Sequence, residues 1–168
     1  MRCEGVIVIT KTVQIDSREK ARAIQKIVAT FDKLGVQYFV SKLPVGDYMS
    51  LDNPRLVIDR KQNLSELCGN VCQQHKRFVA ELIRANQYGI KLVILCEHGG
   101  SVRSMDDVMR WKNPRLKESP MAVSGERLYK ILTAISKKYD VDFVFCDKRS
   151  TGKEIIRILS GGANGATI

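Results

Sequence analysis

The chain has 168 residues, 44% of them hydrophobic, the size of one domain with a core of its own. Lys and Arg number 28 against 18 Asp and Glu, a formal charge of +10, and that excess on a small domain favours a polyanionic partner, nucleic acid first. No run approaches the roughly 18 consecutive apolar residues of a membrane span, and the stretch from Met1 to Thr10 lacks the long apolar region and cleavage site of a signal peptide, so a cytoplasmic protein with no membrane partner is expected.

In chain order, Thr12 to Asp16 alternates toward Val13 and Ile15 and predicts a strand ending in Asp16-Ser17-Arg18-Glu19. Ile24, Ile27, Val28, Phe31 and Leu34 share one face of the helix that follows, with Gly35 as its stop. Val36 to Leu43 reads as the next strand. Met49 to Leu51, an Asp52-Asn53-Pro54 turn and Leu56-Val57-Ile58 form a hairpin. Leu64, Leu67, Cys68, Val71, Phe78, Val79 and Leu82 fit a second amphipathic helix, with Gly69-Asn70 as the place for a break. His75 falls on the apolar side of that helix and is expected to be buried and hydrogen-bonded.

Lys91 to Cys96 is a continuous apolar run, the mark of a strand buried on both faces. His98-Gly99-Gly100 opens a polar stretch that lasts to Pro120. Ser124 caps a helix whose Leu128, Ile131, Leu132, Ile135 and Tyr139 form one stripe. Val141 to Cys146 is the last strand. A final helix begins near Ser150 or Thr151 and stops at Gly161-Gly162, and residues 161–168 are expected to be a disordered tail. Strands alternating with helices indicate an α/β sandwich with a mixed sheet, residues 1–160 forming one domain. The five cysteines include no C-x-x-C pair and no companion histidines for a zinc set, so all are read as reduced and structural.

The chemistry concentrates in Val45-Gly46-Asp47-Tyr48 and Ile58-Asp59-Arg60-Lys61. Side chains alternate along a strand, so Asp59 and Lys61 point the same way and Arg60 the other. Two carboxylates and an ammonium brought together suit a hard divalent cation with an activated water, the equipment of a metal-dependent phosphodiester nuclease.

Asp16-x-Arg18-Glu19, then Leu43-Pro44-Val45-Gly46-Asp47-Tyr48, then Asp59-Arg60-Lys61 followed by Leu64-Ser65-Glu66-Leu67 resembles the XPF/Mus-type nuclease domain of the PD-(D/E)xK superfamily. The order and spacing of three motifs carry the resemblance. It implies a restriction-endonuclease-like α/β fold, a three-layer sandwich with a central mixed β-sheet flanked by helices. It implies Mg²⁺ or Mn²⁺ as cofactor, with Asp47 and Asp59 as principal ligands and Asp16 and Glu19 at a second metal or its water. Lys61 would orient or polarise the attacking water. Arg18 and Arg60 would contact phosphate or lock the carboxylates, Glu66 would stand near the acid that follows the family's lysine, and Arg77 would face substrate.

The sequence departs from the family pattern in three respects. Asp59 stands where the family has Glu, Glu66 comes one position late, and no tandem helix-hairpin-helix module follows. The implied activity is an endonuclease on branched, flapped or forked DNA in replication, recombination or repair, as a homodimer paired through the last two helices. A one-domain version fits a phage or prophage. The alternative is a catalytically inactive nucleic-acid-binding module, although such partners usually lose the acids or the lysine that this chain keeps. The other rival is a small-molecule α/β enzyme, which predicts a phosphate-cradling Gly-rich loop, whereas Gly99-Gly100 and Gly161-Gly162 match neither fingerprint.

Residues 103–123 read as an irregular basic insertion in which Arg110 and Lys112 flank Trp111. Either Trp111 stacks on a base with the two cations beside it, or it closes the core over a loop.

Overall fold

The computed structural model describes residues 9–161; the expectations for the first eight residues and for most of the tail, Cys3 included, lie outside them. The strands are β1 (Thr12–Ile15), β2 (Gln37–Val40), β3 (Tyr48–Ser50), β4 (Asn53–Lys61), β5 (Lys91–Glu97) and β6 (Asp142–Cys146). They form one sheet in the order β2-β1-β3-β4-β5-β6. β3 is antiparallel to both its neighbours and every other pairing is parallel. Five strands therefore end at the same rim of the sheet, and β3 starts there.

The helices are α1 (Ala21–Lys33), α2 (Leu64–Cys72), α3 (His75–Gln87), α4 (Gly125–Tyr139) and α5 (Thr151–Leu159). α1 and α5 bury Ile24, Ile27, Phe31, Ile155 and Ile158 against Val13, Ile15, Ile58 and Leu95 on one face. α2, α3 and α4 bury Leu67, Phe78, Leu82, Leu128 and Leu132 against Val57, Ile94 and Cys96 on the other. The result is a three-layer α/β sandwich, as the alternation of elements implies. Cys68, Cys72, Cys96 and Cys146 are free thiols, and burial pushes those of Cys68 and Cys146 up to about 12 and about 11.

Four expectations change. The hairpin turns at Leu51-Asp52, and Asn53 and Pro54 already belong to β4. The long helix does break, but at Gln73-Gln74 instead of Gly69-Asn70. Gln74 leaves helical geometry (φ −102°, ψ 26°) while its N–H reaches back to the Gly69 carbonyl at 3.0 Å. His75 therefore opens a new helix. Its Nδ1 lies 3.0 Å from the Val71 carbonyl, yet the residue is exposed, because the periodicity of α2 does not carry across the break.

The stretch 103–123 is also less irregular than expected. It holds two short 3-10 turns, Asp106–Arg110 and Pro114–Lys117, and the first packs against the start of α4. Gly125 permits that approach: a Cβ there would stand 2.5 Å from the carbonyl oxygens of both Val108 and Trp111.

Candidate active site

The site is built on the rim where the strands end. Asp47 precedes β3, its N–H donating to the Ile58 carbonyl of β4 at 2.7 Å while its own carbonyl accepts from Asp16 N–H at 2.8 Å. Gly46 makes this turn possible. It has φ +65°, and a Cβ on it would meet Val57 Cγ1 at 2.5 Å and the Ile58 carbonyl oxygen at 2.9 Å. The Asp47 carboxylate accepts from Arg60 N–H at 2.8 Å, which fixes it beside the end of β4.

Strand alternation then sends Asp59 and Lys61 to the α3 side of the sheet. Lys61 Nζ lies 2.9 Å from Asp59 Oδ1, while Asp59 Oδ2 is buried with no donor reaching it. Burial, then the charges of Asp59 and Glu19, push the Asp47 carboxyl up to about 8. Burial raises Asp59 as well, against the pull of Lys61. Burial presses the Lys61 ammonium toward neutrality, but the Asp59 carboxylate outweighs it and holds the pKa above its usual value. A buried acid, Asp59, and a half-buried one, Asp47, thus repel each other beside one cation that stays charged.

Arg60 points through to the α1 side. Its guanidinium is buried between Glu19 (Nη2 to Oε2, 2.7 Å) and Glu97 (Nη1 to Oε1, 3.1 Å). Tyr48 Oη donates to the same Glu19 oxygen at 2.7 Å. Glu19 is therefore engaged on the opposite side of the sheet from the Asp59–Lys61 pair. Asp16 is wholly buried and also engaged: Oδ1 accepts from Arg18 N–H (2.8 Å) and Arg18 Nε (2.6 Å), and Oδ2 from Leu43 N–H (2.6 Å). Burial tends to raise the Asp16 pKa, but these donors outweigh it and hold the carboxyl below its usual value. Asp16 thus ties the end of β1 to the segment leading into the Gly46-Asp47 turn.

The remaining residues divide. Glu66 accepts from Gln62 N–H at 2.8 Å while the Asn63 side chain accepts from Glu66 N–H at 2.8 Å, so the late-coming acid caps α2 directly after Lys61. Lys61, Glu66, Gln74, Arg77 and Glu81 line a polar groove of about 360 Å³ between α2 and α3, which places Arg77 beside the site. Arg110 and Lys112 are exposed, whereas Trp111 is only 8% exposed and sits in the core, its ring against His98. Of the two roles open to Trp111, closing the core is the one the structure adopts.

Glu81 is the residue that motif reasoning misses. It projects from α3 toward the Gly46 turn, where its Oε1 accepts Gly46 N–H at 3.1 Å. Its one signature in the sequence is a carboxylate at helical spacing from Phe78, Leu82 and Ala85, inside an otherwise apolar stripe.

The donor set fits a hard divalent cation in its chemistry: an orphaned buried oxygen of Asp59 lies beside the half-buried Asp47, and a cation resolves their repulsion. Among the described residues no three acidic, His or Cys side chains are gathered closely enough to enclose an ion by themselves.

The family described as the ERCC4 domain matches residues 15–159. XPF from Aeropyrum pernix superposes with a TM-score of 0.60 at 21% identity, covering 94% of this chain and 64% of that one. XPF from Aeropyrum pernix in complex with DNA gives 0.59 at 20% identity, with 94% and 68% covered. The chain thus spans about two-thirds of the length of these relatives and shares their fold. No curated protein matches the sequence.

Proposed function

Because the chain belongs to the ERCC4 domain family, we propose that it is a divalent-metal-dependent DNA endonuclease acting on branched, flapped or forked DNA in replication, recombination or repair. The observation that carries this reading is the orphaned Asp59 oxygen facing Asp47, with Lys61 held charged at 2.9 Å on the other side of Asp59. Asp47 and Asp59 would hold Mg²⁺ or Mn²⁺, which when bound supplies Lewis-acid polarisation of a phosphate oxygen. Lys61 donates to the charge that develops on the phosphorane oxygens and orients the attacking water. Arg77 and Arg18, at the mouth of the site, bind flanking phosphates. Asp16 braces the Gly46-Asp47 turn, and Arg60 and Glu19 fix the end of β4 from behind.

No helix among the described residues is long and apolar enough to cross a membrane. Six of the nine residues of α5 are buried in the chain's own core. In our reading a homodimer therefore pairs through the outer side of α4 and the open edge of β6, with less from α5 than the sequence suggests.

The test is cleavage of labelled fork, flap, four-way junction and plain duplex DNA by wild type and Asp59→Ala, each with Mg²⁺, Mn²⁺ and EDTA. Metal-dependent cutting by wild type alone supports the reading, and the ranking of substrates defines the preferred branch. Salt-sensitive binding by both proteins with cutting by neither assigns a binding module instead.

A further inference from the structure

We propose that Glu81 is the third carboxylate of the site, a positioning residue that holds the Gly46-Asp47 turn from the helix side and completes the negative charge that a divalent ion needs. This rests on the nuclease reading above. Glu81 belongs to none of the motifs that point to the site, yet its Oε1 takes the Gly46 amide at 3.1 Å. That amide lies one residue before Asp47, so any shift of the glutamate moves the Asp47 backbone, whose N–H and carbonyl tie β4 to the end of β1.

The bond is also more than local geometry. The Glu81 charge is felt at Asp59, at Lys61 and at Arg18, so it belongs to the same electrostatic unit. With Asp47 and Asp59 ionised around a bound cation, Glu81 adds a third carboxylate against the single ammonium of Lys61, while Arg18 is already matched by Asp16 at 2.6 Å. Glu81 also lines the groove that Lys61 shares, so a hydrated ion near Asp59 is within its field. A group that acts on a metal through ordered neighbours typically controls affinity by about 10–100-fold.

The decisive pair of variants is Glu81→Gln and Glu81→Ala. Glutamine keeps an oxygen for the Gly46 amide and removes the charge; alanine removes both. Mn²⁺ binding would be followed by the electron paramagnetic resonance of the free ion, with circular dichroism melts in EDTA and with cleavage titrated against Mn²⁺. The expected result is that Glu81→Gln melts like wild type in EDTA but binds Mn²⁺ about tenfold more weakly, with cleavage restored at high Mn²⁺. Glu81→Ala should lose more. Wild-type Mn²⁺ affinity in Glu81→Gln overturns the proposal, leaving at most a clamp on the Gly46 turn. Wild-type affinity in both variants removes even that. If wild type itself neither binds Mn²⁺ nor cleaves, the nuclease reading fails, and this inference falls with it.

Discussion

Asp59 and Arg60 are neighbours on β4 whose side chains leave the sheet on opposite faces and enter two separate charge clusters. Asp59 joins Lys61 on the α3 side, and Arg60 is buried between Glu19 and Glu97 on the α1 side. Adjacent substitutions should therefore have different consequences. Asp59→Asn removes one of two repelling acids but also the partner of Lys61, so it should abolish metal-dependent cleavage and, with Asp47 left to ionise beside the ammonium, cost much less urea stability than a change at Arg60. Arg60→Ala strands the buried Glu97 and the half-buried Glu19 and should cost about 3–5 kcal/mol. Arg60→Lys should recover little of this, since an ammonium does not span both partners as the guanidinium fork does. Similar urea midpoints for Asp59→Asn and Arg60→Ala would contradict the division into two clusters.

Lys61 is expected to act on the reaction more than on binding. Its ammonium is held by Asp59 and faces the groove, so Lys61→Ala should lower kcat by about 10²–10³ with a much smaller change in DNA affinity. Single-turnover cleavage at saturating enzyme separates the two effects. A loss confined to affinity would make Lys61 a phosphate contact only.

Gly46→Ala tests the turn that places Asp47. The added methyl meets Val57 Cγ1 at 2.5 Å and a backbone oxygen at 2.9 Å, in a backbone region that L residues rarely adopt. Overpacking of this kind costs about 1–3 kcal/mol, and relief by moving the turn displaces Asp47 as well. Stability and cleavage should fall together. Val57→Ala, which vacates the side-chain half of the clash, should restore part of the stability of Gly46→Ala while the Ile58 carbonyl still blocks the rest.

Much of this arrangement is legible in the sequence because it rests on local rules. Alternation along β4 separates Asp59 and Lys61 from Arg60, and Gly46-Asp47 before an apolar strand marks the turn. What the sequence leaves open depends on pairings between distant segments. Asp16 and Glu19 stand in the motif as candidate ligands, and only the fold shows Leu43 and Arg18 donating to Asp16 and Tyr48 and Arg60 sharing one oxygen of Glu19. Glu81 looks like an ordinary helix carboxylate until α3 folds over Gly46. Trp111 is ambiguous until His98 and the turn before α4 enclose it. His75 is misplaced for the opposite reason: a local periodicity is extended across a break that tertiary packing imposes.

The carboxylate pair should also govern pH dependence. Asp47 moves from 3.8 to about 8, with burial first and the charges of Asp59 and Glu19 next. An acid whose folded pKa lies above its unfolded value binds more protons when folded throughout that window. Its contribution to stability is therefore present at low pH and is lost as pH rises from about 4 toward 8. In EDTA, Tm should fall between about pH 5.5 and pH 8, and Asp47→Asn should flatten that fall. Added Mg²⁺ should offset it increasingly toward pH 8, because metal binding displaces the proton that Asp47 holds. A slope unchanged in Asp47→Asn would place the titration elsewhere.

The basic insertion offers a last separation, between a core residue and the two cations beside it. Trp111 is buried against His98, whose Nδ1 accepts from Leu64 N–H at 3.2 Å at the start of α2, two residues past Gln62. Trp111→Ala should cost about 3–5 kcal/mol and loosen the support behind Lys61. Arg110 and Lys112 are exposed, and Arg110 makes only a long 3.3 Å pair with Asp107. Replacing both with alanine should leave the melt unchanged and weaken DNA binding, with the dependence of log K on log salt shallower by about 1–2 because up to two phosphate contacts are lost. If the double variant binds DNA with an unaltered salt slope, substrate passes on the α2–α3 side alone, and the insertion serves only to close the core.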